Sequence, residues 1–213
     1  MAYDLQEQEQ LATFKAWWEK YGNLILTAAT IVLLAIAAFN GWRWYERRQG
    51  QQAGEEYDRL LVAIEAKDAA KSKELAGGII ERYNRSIYAS LAALQAAKVY
   101  HEGGDANGAK AQLRWVVEKS GRPELAATAR VRLAGVLLDE KAYDEALKVL
   151  SDNIPASHAV QFADRRGDVL LALKKVDEAR AAYREALDKA AADHPLRAYI
   201  QLKLDALPAS AAS

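Results

Sequence analysis

The pattern of apolar and polar positions divides the chain in two. From Tyr21 to Trp42 there is a run of 22 residues without a charged side chain. As an α-helix at about 1.5 Å per residue it would reach roughly 33 Å, enough to cross a hydrocarbon layer about 30 Å thick. Its interior, from Leu24 to Phe39, is apolar apart from Thr27 and Thr30, whose hydroxyls can bond back to their own helix carbonyls. Trp17, Trp18 and Tyr21 flank one end, and Trp42, Trp44 and Tyr45 the other. Amphipathic rings of this kind favour the two headgroup layers of a bilayer. Ahead of the run, residues 3–20 predict a short helix with Leu11, Phe14, Trp18 and Tyr21 on one side.

Beyond Gln49-Gly50 the period changes to amphipathic helical pairs of one recurring length. Ala76, Ala109, Ala146 and Ala179 open the second helix of successive pairs at spacings of 33, 37 and 33 residues. These lie near the 34-residue period of a tetratricopeptide repeat. Four positions later stand Ile80, Leu113, Leu150 and Tyr183, and twelve positions earlier Ile64, Ala97, Ala134 and Gly167. A small side chain on each helix lets two backbones approach, and a large neighbour fills the remaining gap. The turns Gly103-Gly104-Asp105, Lys141-Ala142-Tyr143-Asp144 and Lys174-Lys175-Val176-Asp177 each place an aspartate to cap or favour a first helical turn. Pro123 and Pro195 suit the opening of new helices. Leu196, Ile200, Leu204 and Leu207 form the stripe of a capping helix.

The predicted fold is therefore all-α, a single N-terminal transmembrane helix followed by a tetratricopeptide-like helical-repeat superhelix, with a plain helical bundle as the alternative. The expected divisions are a head (1–20), the span (21–42), a juxtamembrane linker (43–53), the repeat domain (54–207) and a flexible tail (208–213). A cleaved signal peptide is the competing reading of the apolar run, with Ala35-x-Ala37 as its possible cleavage site. The length and the bulky Trp42-Arg43-Trp44-Tyr45 that follows favour an uncleaved span.

Composition narrows the function. Lys plus Arg number 29 and Asp plus Glu number 29, so no basic excess marks a nucleic-acid binder. Residues 1–48 are themselves balanced, five basic against five acidic. Lys15 and Lys20 on one side of the apolar run oppose Arg43, Arg47 and Arg48 on the other, so charge leaves the orientation open. With no cysteine there is no disulfide scaffold, thiol nucleophile or Cys-ligated metal. His101, His158 and His194 are far apart in sequence, and neither a nucleophile elbow nor a phosphate loop occurs. Neither a catalytic constellation nor a cofactor or metal site is expected. Arg166-Gly167-Asp168 falls inside a predicted helix, with Gly167 in its close-packing column.

What remains is the surface formed by the first helix of each pair, near 86–101, 124–139 and 159–173. Tyr88, Tyr100, Arg130, Arg132, Phe162 and Arg166 are the candidate protein-binding residues there, because Tyr and Arg carry much of the energy of protein recognition.

Three stretches, in this order behind a membrane span, carry a family resemblance: Tyr88 to Ala97, Ala129 to Ala134, and Phe162 to Leu170 with Ala179 to Tyr183 following. Together with the segment Gly41 to Tyr45, they resemble the YfgM family of the Gram-negative inner membrane. The resemblance implies an ancillary subunit of the SecYEG translocon with a cytoplasmic head and periplasmic repeats. It also implies a chaperone-like adaptor working beside a PpiD-like periplasmic chaperone on exported, unfolded polypeptides. A non-catalytic scaffold in envelope assembly or stress signalling, without client binding, is the alternative. A charge in the centre of the span tests the anchor: Leu33→Arg adds an insertion penalty of about 2.5–3.5 kcal/mol. Fractionation of cells making this variant is expected to show reduced membrane retention.

Overall fold

A computed structural model describes residues 2–151 and 154–208, with side chains of the first helix described from Glu9 onward. Among these residues every regular element is helical. Helix α1 spans Ala2–Glu65, and α2 to α9 span Ala69–Arg82, Ile87–Glu102, Ala106–Lys119, Pro123–Asp139, Tyr143–Val149, Ala159–Ala172, Val176–Lys189 and Arg197–Asp205. A 3₁₀ turn, Ala156–His158, leads into α7. Residues 43–53, expected as a linker, are helical and lie within α1. The chain divides into two compact units, residues 1–49 and 50–213. Of the expected tail, residues 209–213 lie outside the described residues, and so does the head's Met1.

In the first unit, the apolar side chains of the run point outward: Leu24, Leu33 and Phe39 are 70, 66 and 60% exposed. Helix α1 is long and apolar enough to cross a membrane. The hydroxyls of Thr27 and Thr30 donate to Asn23 O and Leu26 O at 2.7 and 2.8 Å, so neither adds an unpaired donor to the apolar surface. On the N-terminal side Phe14 stacks on Trp17 and Trp18, and Trp17 meets Tyr21 with ring centroids 5.8 Å apart. Toward the other end Arg43 lies over Phe39 and Arg48 over Trp44, each cation resting on an aromatic face.

The second unit is a series of helical hairpins, each burying the expected small residue. Ala76, Ala109, Ala146 and Ala179 are all fully buried, and Ala97, Ala134, Leu113, Leu150 and Tyr183 are buried beside them. Two members of these columns are modified by their surroundings. Ile64 and Ile80 are only partly buried, at the first pair of the series. Gly167 shows why the column must be small. A Cβ there would lie 2.5 Å from the Tyr183 ring, closer than two carbons can stand.

Four hairpin turns share one backbone device. Lys67, Gly104, Lys141 and Lys174 adopt φ of 57, 76, 62 and 62°, the left-handed conformation that closes a helix C-terminus. Each is followed by an amide that reaches back into the preceding helix: Asp68, Asp105, Ala142 and Lys175 donate to Ala63, Tyr100, Leu137 and Leu170 at 2.8–3.0 Å. Next, the two earlier turns cap through a side chain. Asp68 Oδ1 accepts from Lys71 N at 2.9 Å, and Asp105 Oδ1 from Gly108 N at 2.8 Å. Asp144 and Asp177 instead lie in the first turns of α6 and α8, where they complement the helix dipole without a capping bond. Pro123 opens α5. Helix α9 begins two residues beyond Pro195, at Arg197.

The last three helices are joined by a polar cluster as well as by apolar packing. Ile200 and Leu207 are buried, with Leu196 and Leu204 partly buried, against α7 and α8. Beside them Lys203 Nζ donates to Asp164 Oδ1 at 2.8 Å and Asp168 Oδ1 at 2.7 Å. The Tyr183 hydroxyl donates to Asp168 Oδ1 at 2.8 Å, and Arg165 Nη1 to Asp168 Oδ2 at 3.2 Å. Burial pushes the Asp164 carboxyl above the usual range against the pull of Lys203, and pushes the Tyr183 phenol up as well. The Arg-Gly-Asp triplet is thus helix interior: Arg166 pairs with Glu185, Gly167 packs on Tyr183, and Asp168 sits in the cluster.

Two measurements follow from this packing. Gly167→Leu is expected to overpack the α7–α8 contact and cost on the order of 1–3 kcal/mol, read as a lower melting temperature of the full chain by circular dichroism. Glu185 has the opposite electrostatic character to Asp164. The Lys189 ammonium first, with the Arg166 guanidinium, holds its carboxyl below the ordinary 4.5. Ionised Glu185 therefore adds stability above the unfolded-state value and loses it as pH falls through the lower folded-state value. Glu185→Gln should lower the melting temperature at pH 7, and the gap to the parent should narrow as the pH is taken below 4.5.

Candidate functional site

Helices α3, α5 and α7 are the first members of their pairs, and the six residues singled out by sequence all lie on them. The structure gives most of them packing roles. Tyr88 is half-buried, its ring 5.6 Å from that of Tyr57 and laid over Gly54. Tyr100 covers Gly108 of α4 so closely that a Cβ there would stand 2.5 Å from the ring, and Lys73 sits 4.2 Å above its centroid. Phe162 is only 1% exposed. Its expected place on a binding surface is corrected: the ring belongs to the core, with the Arg130 guanidinium 4.8 Å above it from α5. Arg166 is half-buried and spans α7 to α8 through Glu185.

Arg132 differs from these. It is exposed, and one guanidinium nitrogen donates to Leu94 O of α3 at 3.3 Å. It borders a cleft of about 520 Å³ lined by Gln95, Lys98 and His101 of α3, by Arg132, Gly135 and Asp139 of α5, and by Arg165 of α7. A Cβ built at Gly135 would meet the Cζ and both terminal nitrogens of Arg165 at 3.7–3.9 Å, so the guanidinium lies beside α5 at this position. Asp168 holds Arg165 from within its own helix. At the α3–α5 end, His101 Nε2 stands 3.6 Å from Asp139 Oδ2, and Lys98 lies 3.7 Å from Glu102 at the rim.

Lys98, Arg132 and Arg165 line the cleft together with Asp139, and Glu102 and Asp168 pair with Lys98 and Arg165, so positive and negative charge balance around it. Sequence reading found one of these residues, Arg132. The others follow a signal that apolar columns do not carry: polar side chains along one side of a first helix, as in Gln95, Lys98 and His101, or Arg132 and Asp139. Among the described residues, no group of three acidic or histidine side chains could hold a metal ion.

Residues 15–209 match the model of a tetratricopeptide repeat-like domain family. An ancillary SecYEG translocon subunit of Neisseria gonorrhoeae is 32% identical over 97% of this chain and 100% of its own length. Proteins of the same name from Escherichia coli K12 and Haemophilus influenzae are 28 and 27% identical, over 94 and 81% of this chain and 96 and 84% of theirs. Among solved structures, a MamA fragment from Desulfovibrio magneticus RS-1 (residues 41 to the end) shares the fold at a TM-score of 0.54 and 16% identity, over 74% of this chain and 88% of that one. An ArsTM double mutant of RS-1 MamA matches at 0.55 and 16%, over 74 and 94%. The length of the match to the neisserial protein, the repeat-like domain and the apolar helix agree, and the chain belongs to the YfgM family of tetratricopeptide repeat-like proteins.

Proposed function

We propose that this chain is an ancillary, non-catalytic subunit of the SecYEG translocon, held in the bacterial inner membrane by the apolar part of α1. The observation that carries the reading is the end-to-end similarity to the neisserial translocon subunit, which spans both the apolar helix and the repeat unit. In this reading residues 1–20 are the cytoplasmic head, and the unit from residue 50 faces the periplasm. There it acts as a chaperone-like adaptor that passes exported, unfolded polypeptides to a PpiD-like periplasmic chaperone.

The physical support is of two kinds. The outward apolar side chains around Leu24–Phe39 are compatible with lipid or with the transmembrane helices of a partner. The repeat unit presents helix sides with exposed charged residues, surfaces open to contact with other polypeptides. A membrane tether strengthens weak binding by raising the local concentration of whatever emerges beside it.

Photocrosslinkers at Leu33, within the apolar run, and at Arg132, beside the cleft, test this reading in intact cells. Translocon subunits are expected to crosslink from Leu33, and exported chains together with a PpiD-like chaperone from Arg132. Protease added to spheroplasts should remove the repeat unit and leave the head. Crosslinks confined to proteins outside the secretion machinery, or a protease-resistant repeat unit, would overturn the proposal.

A further inference from the structure

We infer that α1 pairs in parallel with the α1 of a second copy of this chain, along one apolar seam that runs from Leu11 to Trp42. The inference rests on the membrane-anchor reading above and adds a partner to it.

The seam is a heptad pattern. Leu11, Phe14, Trp18 and Tyr21 follow one another at steps of three, four and three residues. The same alternation continues through Ile25, Ala28, Val32, Ala35, Phe39 and Trp42, and it ends where Glu46 takes the next place. These are the a and d positions of a helix that supercoils against an equal partner. In the head the pattern separates residue types: Glu9, Thr13, Lys15, Glu19 and Lys20 all fall off the a and d positions. In the span Asn23, Thr27, Thr30 and Asn40 fall at b, c and f, so the seam avoids them too. Helix α1 is unbroken over the whole stretch, which keeps one register from head to span.

Leu11 and Phe14 decide the kind of partner. They are 67 and 60% exposed. With the span opening at Tyr21, they stand about 10–15 Å further along the helix, outside a headgroup layer roughly 5–8 Å deep. Lipid tails therefore do not reach them, and their cover is a protein surface continuous with the one in the bilayer. A second copy presents the same side chains at the same depth and in the same direction, so a meets a and d meets d along the full length. Ala28 and Ala35, small at successive d positions, let the two helices approach between Ile25, Val32 and Phe39. Beside the seam Gln10 faces Lys15, and Trp17 faces Gly22, of the second copy, so like charges do not meet. The area is also sufficient. Phe14, Trp18, Tyr21, Phe39 and Trp42 are 39–60% exposed. At half of the roughly 150–250 Å² such rings can bury, they supply about 500 Å² per copy. The aliphatic positions bring the seam toward the ~800 Å² per partner of a stable interface.

Because the chain has no cysteine, single thiols report on this pairing directly. Phe14→Cys, Ala28→Cys and Ala35→Cys each place one on the seam, whereas Ala16→Cys, Thr30→Cys and Ala37→Cys place it at f, on the far side. Membranes from cells making each full-length variant are oxidised with copper phenanthroline and resolved on non-reducing gels. Seam positions are expected to yield a product of doubled mass at least about fivefold more than f positions, which face away from the partner. Adding Trp18→Glu to Ala28→Cys should bring that product down to the f-position level, and Trp18→Leu should keep it. Equal yields on and off the seam, or an undiminished yield with Trp18→Glu, would overturn the inference. So would adducts from position 28 that contain other membrane proteins alone, because they assign the seam to a different partner. The anchor reading fails separately: variants released by alkaline carbonate remove the anchor, whereas variants retained in the membrane without the doubled product leave it standing and remove the pairing.

Discussion

The close approach of helices within each hairpin is the constraint on which the repeat unit depends. An alanine or glycine lets two backbones come together, and a ring or branched side chain from the neighbouring helix covers the space. The device recurs with tyrosine over glycine at Tyr88 and Gly54, at Tyr100 and Gly108, and at Tyr183 and Gly167. A Cβ added at Gly108 or Gly167 would stand 2.5 Å from the covering ring, so a larger residue there forces the ring or its helix to shift. The positions of Arg132 and Arg165 across the cleft therefore depend on contacts made on the buried sides of their helices.

The same constraint explains which parts of the fold were legible in sequence. Columns such as Ala109, Ala146 and Ala179 are visible because close packing restricts residue type at a fixed spacing. The span is legible because a helix facing lipid must avoid charge over a fixed length. Residue type is less informative where one side chain can serve two ends. Tyr88, Tyr100 and Phe162 have the composition of recognition residues, yet their rings cover glycines or fill the core. Their paired glycines, Gly54 and Gly108, are on other helices, and single-chain periodicity does not connect them.

Three lysines in left-handed turns were equally hidden. Glycine at Gly104 announces such a turn, whereas Lys67, Lys141 and Lys174 adopt it although the conformation disfavours a side chain. What holds them is the amide that follows, bonded back into the preceding helix, together with the packing of the next helix. The Lys203 cluster was hidden for a related reason. Asp164 and Asp168 on α7 become partners of Lys203 only when α9 folds back, more than thirty residues later. Burial raises the Asp164 carboxyl, so the cluster tightens placement of the final helix at an electrostatic cost that apolar side chains would not incur.

The two units solve different solvent problems on one chain. Residues 1–49 expose apolar side chains that water disfavours, whereas the unit from residue 50 buries its apolar residues in cores of its own. The core takes rings such as Phe162 and Tyr183, and the surface keeps charged residues together with exposed Val62, Tyr199 and Leu202. Exposed charges contribute little to affinity one at a time, and salt screens them. A surface of this kind is suited to weak, rapidly exchanging contacts with segments of varied sequence. In the proposed reading, anchorage raises the local concentration of the repeat unit beside the membrane, and weak contacts there gain strength without any added apolar area.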